Sequence, residues 1–164
     1  MTQFIAGSAD IYGDVTIGKG STIWFQSVIR GDSNSIKIGE ITNIQDGTVV
    51  HVDHDASVVI GDYVTVGHGC IIHGCTIHSG ALIGMGSTVL NHAEIGENSL
   101  IGAGSLVTEH TIIPPNSLAF GSPARVVREL TPEEIDKNRQ NALHYQEQGN
   151  AYLAGQFSAY SGDK

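Results

Sequence analysis

His51 and His73 each directly follow an aliphatic residue, Val50 and Ile72, and Arg30 follows Ile29 in the same way. Asp32 lies two residues beyond Arg30, Gln45 and Asp46 directly follow Ile44, and His68 sits two residues after Val66. Imidazoles bind divalent metals, and neighbouring carboxylates or carboxamides orient ligands. Three histidines around a cation leave a fourth position open, the arrangement of a catalytic zinc rather than a structural one. Whether these side chains can meet depends on the elements that carry them.

A repeat dictates those elements. Aliphatic residues recur every six positions at Ile5, Ile11, Ile17, Ile23 and Ile29. After a slip of three come Ile38, Ile44 and Val50, and after a slip of four Ile60, Val66 and Ile72. One step is then a residue short, and the series continues through Ile77, Ile83, Val89, Ile95, Ile101, Val107 and Ile113. Gly often follows the aliphatic, as at Gly18, Gly61 and Gly84, and a small or branched residue lies four places after it, as at Ser21, Thr42 and Ser99. A period of six is a multiple of the strand period and not of the helical one, so these are short strands. Hexapeptide repeats stack as a parallel β-helix, three to a triangular coil, with the aliphatics inward and coils ~4.8 Å apart. Eighteen anchors make about six coils. An antiparallel sandwich would instead show turn signals roughly every 8–12 residues.

The series is expected to stop near Pro114-Pro115 and Gly121-Ser122-Pro123. Thr131-Pro132-Glu133-Glu134 then reads as a helix start, with Thr at the N-cap, Pro at N1 and Glu at N3 in a capping box. The helix should run from Pro132 to about Tyr152, with Ile135, Ala142, Tyr145 and Tyr152 as an apolar stripe that Gly149 interrupts. The expected division is a β-helix domain over residues 1–130, then a helix and frayed tail over 131–164 packed on the prism or on a neighbouring subunit.

Register turns the repeat into geometry. Anchors three repeats apart share a corner, so Ile29, Val50 and Ile72 stack, as do Ile44 and Val66. Arg30, His51 and His73 then occupy one outward phase on consecutive coils. The two histidines should lie ~4.8 Å apart at the backbone, close enough to share a metal at about 2.0–2.1 Å from each. His68 belongs to another corner, and a prism edge is roughly 16 Å, so it should not reach that pair in its own chain. It reaches a neighbour's pair if three prisms close around a threefold axis. Arg30 and Asp32 lie one coil below and suit an interface ion pair, and Gln45 could orient a water on the metal. His78, His92 and His110 read as surface or interface residues. Cys70 reads as a small inward position, and Cys75 as a more exposed one without the surroundings of an activated thiolate.

Composition excludes other classes. Eight Lys and Arg against 17 Asp and Glu, a formal −9, argue against a nucleic-acid surface and against adsorption to an anionic membrane. A hydrophobic content of 40% excludes disorder by composition, and no apolar run approaches a membrane span. The N-terminus lacks the features of a secretory signal and two cysteines make no disulfide framework, so a cytoplasmic, reducing compartment is expected.

On these residues the sequence resembles the gamma-class carbonic anhydrases and their close bacterial relatives. The elements carrying the resemblance are Val28-Ile29-Arg30-Gly31-Asp32, Thr42-Asn43-Ile44-Gln45-Asp46-Gly47, His51 and Gly67-His68-Gly69-Cys70-Ile71-Ile72-His73-Gly74-Cys75. Gly84-Met85-Gly86 and Gly121-Ser122-Pro123-Ala124 add to it, and it covers roughly residues 5–130. It implies an all-β, left-handed β-helix, a homotrimer, and a zinc, or iron or cobalt, held by His51 and His73 of one subunit and His68 of the next. It also implies that Gln45 hydrogen-bonds a water on the metal, that Arg30 and Asp32 form an intersubunit salt bridge, and that Asp46 and Asn43 support the site from behind. The implied reaction is reversible hydration of CO₂ to bicarbonate, the metal lowering the pKa of water from 15.7 toward ~7.

One departure bears on rate. The acidic loop of proton-shuttling glutamates in the family's archaeal founder has no counterpart, since Ser33 follows Asp32 and the loop 33–37 is short. Fast hydration needs a proton exit with a pKa near the working pH. His54, Tyr145 and Tyr152 are the candidates, and low activity is expected. Two other readings stay open: a non-catalytic trimeric metal-binding scaffold, and a hexapeptide acyltransferase, whose usual catalytic loop is missing here.

Overall fold

The structure, a computed structural model, describes residues 2–162; Met1 and, from the expected tail, Asp163 and Lys164 lie outside the described residues. Short strands follow one another in threes. The first coils are β1 (Phe4–Ile5), β2 (Asp10–Ile17), β3 (Thr22–Ile23), β4 (Val28–Ile38), β5 (Asn43–Ile44), β6 (Val49–His51) and β7 (Val58–Ile60). The middle coils are β8 (Thr65–Val66), β9 (Ile71–His73), β10 (Thr76–Ile77), β11 (Leu82–Ile83), β12 (Thr88–Val89) and β13 (Glu94–Ile95). Above them come β14 (Leu100–Ile101), β15 (Leu106–Val107), β16 (Ile112–Ile113), β17 (Ser117–Gly121) and β18 (Ala124–Glu129), then helix α1 (Pro132–Leu153).

Pairing follows the three-repeat count. One face is the parallel ladder β1-β3-β5-β8-β11-β14-β17. The second and third faces are joined because β4 turns a corner: Val28–Arg30 pairs with β6, and Ile36–Ile38 with β7. The chain is a left-handed parallel β-helix of about six coils, the opposite hand to that of ordinary βαβ crossovers.

The anchors from Ile23 onward face the axis. Ile23, Ile29, Ile44, Val50, Ile72, Ile83, Ile95 and Ile101 are completely buried in one continuous core. Fully burying a side chain of this size is worth about 1.5–3 kcal/mol. The small residues two places before each anchor face inward too, where their hydroxyls satisfy corner carbonyls: Ser21 donates to Gly39 O at 2.7 Å and Thr48 to Gly67 O at 3.0 Å. The first coil is the exception, with Ile5 47% exposed and Ile11 and Ile17 only partly buried, because it has a neighbour on one side only.

The regular series runs one strand further than expected. Ala119 pairs with Ile101 as a further anchor, and β18 then turns back antiparallel on β17. Helix α1 begins on the expected capping box, with Thr131 and Glu134 bonding each other's backbone N–H. It lies along its own prism against β1, β3, β5 and β8. Gly149, expected to interrupt the stripe, is instead buried at the point of closest approach: a Cβ there would sit 2.5 Å from Thr22 Cγ2 and 3.0 Å from Phe4 Cβ. Among the described residues no helix is long and apolar enough to cross a membrane.

Candidate metal centre

All three departures from the six-residue step fall on one corner, in consecutive coils. Nine residues separate Ile29 from Ile38, ten separate Val50 from Ile60, and five separate Ile72 from Ile77. Arg30, His51 and His73 stand at the entry to this corner and are in register as Cα partners. The longer excursions bring Asp32 and Asp53 beside them, and the shortened coil leaves Gly74 next to His73.

The two imidazoles meet, with His51 Nδ1 3.0 Å from His73 Nε2 and ring centroids 5.0 Å apart. Asp32 Oδ1 lies 3.1 Å from His51 Nε2, and Asn91 Oδ1 2.5 Å from His73 Nδ1. An unprotonated carboxylate and a carboxamide oxygen only accept, so those outer nitrogens carry the protons. The two inner nitrogens then present lone pairs to each other, an arrangement that a cation between them resolves. Their separation accommodates two metal–nitrogen bonds of about 2.0–2.1 Å. Burial pushes the Asp32 carboxyl up, but hydrogen bonds from His51 and Arg30 outweigh it and hold it below the usual carboxylate range. Arg30 pairs with Asp32 inside the chain, and both side chains are half-exposed in it.

His68 follows β8 on the first face and stands apart from this pair. Among the described residues of the single chain, no three His, Cys, Asp or Glu side chains form a group that could hold a metal ion. Its Nδ1 lies 2.9 Å from Asp46 Oδ2, so His68 too has one ring nitrogen tied to an oxygen acceptor. Gln45, 4% exposed, donates to Asn43 Oδ1 at 3.0 Å, while Asn43 donates to Thr65 Oγ1 at 2.9 Å. This buried chain fixes Gln45 on the wall of a cavity of about 270 Å³ between the prism and α1. His68, Leu82, Met85, Ala103 and Tyr145 line it as well.

Of the proton-exit candidates, Tyr145 is on this cavity, where burial and the charge of Asp46 push its phenol up. A phenol that holds its proton at neutral pH donates a hydrogen bond but does not shuttle. Tyr152 lies elsewhere, packed with Phe4, Trp24, Phe25 and Phe157. His54 is exposed on the excursion after His51. His78 and Glu94 pair on the surface at 2.7 Å, and His92 stacks on His110.

Cys75 corrects the sequence reading. It is 1% exposed, and burial pushes its thiol up to about 12. Counted back from Ile77, it holds the small inward position; counted forward across the short coil, it does not. Cys70 is buried as expected. Asn91 carries no ligand signal in the sequence, although the coil stacking places it beside His73.

Residues 74–109 match the bacterial transferase hexapeptide (six repeats) family. A Methanocaldococcus jannaschii protein named probable carbonic anhydrase is 56% identical over 86% of this chain and 89% of its own length. Gamma carbonic anhydrase 2, mitochondrial, of Arabidopsis thaliana is 47% identical over 87% of this chain, which spans 53% of that longer protein. The crystal structure of a hexapeptide transferase family protein from Anaplasma phagocytophilum superposes with a TM-score of 0.88 at 46% identity, covering 92% of this chain and 89% of that one. The identity to proteins named carbonic anhydrase runs through most of the chain, including the coils that carry the histidine corner, and the chain belongs to the gamma carbonic anhydrase family of lyases.

Proposed function

We propose that this chain hydrates CO₂ reversibly at a metal shared between copies, held by His51 and His73 of one subunit and His68 of the next in a homotrimer. Three oxygen acceptors support the reading: Asp32, Asp46 and Asn91 each occupy one ring nitrogen of a histidine and leave the other as a donor. Acceptors behind metal-binding imidazoles fix the tautomer and raise ligand basicity. Three nitrogen donors suit zinc, with Fe²⁺ or Co²⁺ as alternatives. When bound, such a metal supplies a hydroxide nucleophile at neutral pH.

The chain's own residues do the rest. Gln45, held by Asn43, presents its carboxamide to the cavity and orients the attacking oxygen. Leu82, Met85 and Ala103 line the cavity with apolar surface that suits CO₂. Arg30 and Asp32 lie where the next copy would cover them, as an ion pair flanking the site. The proton leaves through His54 at the exposed rim, since Tyr145 keeps its own proton and Tyr152 is remote. With that one exit replacing an acidic loop, turnover is low. A reducing, cytoplasmic compartment suits two free thiols.

Metal analysis and stopped-flow CO₂ hydration test the reading, with His73→Ala as control. About one metal per chain and a rate above the control are expected. Metal without a rate points to a scaffold; no metal in any preparation refutes the shared centre.

A further inference from the structure

We infer that Asn91 is a positioning residue for His73, itself oriented by Asp53, and that this relay fixes which imidazole nitrogen His73 offers at the shared centre; it rests on the reading of His73 as a ligand. The argument turns on the two tautomers of one ring. With the proton on Nδ1, His73 turns a lone pair toward His51 and the pair is open to a cation. With the proton on Nε2, His73 donates across the 3.0 Å gap to His51 Nδ1, and the pair closes on itself. Asn91 Oδ1, 2.5 Å from His73 Nδ1, selects the open form, because a carbonyl oxygen accepts and cannot donate.

A carboxamide has two ends, and a flipped Asn91 would select the closed form. Asp53 decides the matter. Its Oδ2 accepts from Asn91 Nδ2 at 3.3 Å, and an unprotonated carboxylate tolerates only the NH₂ end of the amide. Asp53 is in turn fixed on the excursion after His51. Its Oδ1 accepts from the His54 backbone N–H at 2.8 Å, its own backbone bridges to Ala56, and Asn34 donates to the carbonyls of Asp53 and His54. Gly74 supplies the room. A Cβ on this residue would lie 2.6 Å from Asn91 Oδ1 and 2.7 Å from Ala56 Cβ, so a side chain beside His73 would displace the carboxamide. The shortened coil and the excursion below it thus serve one hydrogen-bonded relay.

The test uses the full chain labelled with ¹⁵N-histidine and freed of metal. Long-range ¹H–¹⁵N correlation should find His73 as the Nδ1–H tautomer in the unsubstituted protein, and an Nε2–H signal there overturns the inference. Asn91→Leu should shift the ring toward Nε2–H and weaken zinc affinity, read by competition with a chromophoric chelator, roughly 10–100-fold. The reciprocal double variant Asp53→Asn/Asn91→Asp keeps an acceptor on His73 and a donor–acceptor pair behind it, and should restore both signals. An unchanged tautomer with affinity within about threefold in Asn91→Leu, or no recovery in a folded double variant, overturns the relay. If the tautomer shifts but even the unsubstituted protein binds no zinc, the relay stands and the metal reading falls.

Discussion

Mixing two inactive variants measures directly whether the centre is shared. His51 and His73 lie at one corner of the prism and His68 follows a strand of a different sheet. His68→Ala removes the ligand given to a neighbour, and His73→Ala one of the two kept at home. Each variant alone should be metal-free under a chelator-buffered low free-zinc concentration. In a randomly mixed trimer a site is whole only where a His68→Ala chain supplies the pair and the adjoining His73→Ala chain supplies the third imidazole. Each condition holds with a probability of one half, so about a quarter of the unsubstituted occupancy should return for a closed heterologous ring. The assay is co-expression from one vector, intact-mass measurement of the chain ratio, and elemental analysis per chain. Recovery near a quarter fits ligands split two and one across an interface. No recovery in material shown to contain mixed oligomers, or full metal in His68→Ala alone, refutes the split.

Two stability predictions follow from the helix. Gly149→Ala should destabilise the fold even though Ala is favoured over Gly in helices by about 1 kcal/mol. The added methyl would sit 2.5 Å from Thr22 Cγ2, well inside ordinary carbon contact, and overpacking of this kind costs about 1–3 kcal/mol; a raised melting temperature would contradict the close approach. Glu134 is held at about 2 by the Arg128 guanidinium, at 2.8 Å from each carboxylate oxygen, and by the Thr131 N–H. Because its folded pKa lies below the usual 4.5, its contribution is complete above about pH 4.5 and is lost as pH falls toward 2. Acid titration of helicity by circular dichroism should flatten in that window for Glu134→Gln, and an unaltered curve would remove the capping pair from the account.

The legible part of this molecule was the part that repeats. Ile29, Val50 and Ile72 could be stacked on paper because a fixed period converts numbering into position, and His51 and His73 came with them. The hand of the coil is different: six-residue spacing is the same in either sense, and only the resemblance to a family carried it. Where the period breaks, counting misled. Counting forward from Ile72 across the five-residue step points Cys75 outward, whereas counting back from Ile77 points it inward, where it is buried. Ala119 was overlooked as an anchor because Ala is too small to stand out among Ile and Val, and Gly149 read as a flaw because its role is a contact with Thr22, which no helical pattern encodes. Asn91 stands about one coil above His73, but a carboxamide carries no ligand signal of its own, and its other partner, Asp53, lies on an irregular excursion where the period gives no position.

The irregular corner has a wider consequence. Changing the length of one coil leaves the pairing on either side intact, as the ladders of β4 with β6 and with β7 attest. A solenoid can therefore acquire chemistry by insertion and deletion at an edge, while its interior goes on obeying the same rule. The stretch that matches the hexapeptide-repeat family, residues 74–109, begins one residue beyond His73 and leaves His51, His68 and His73 outside it.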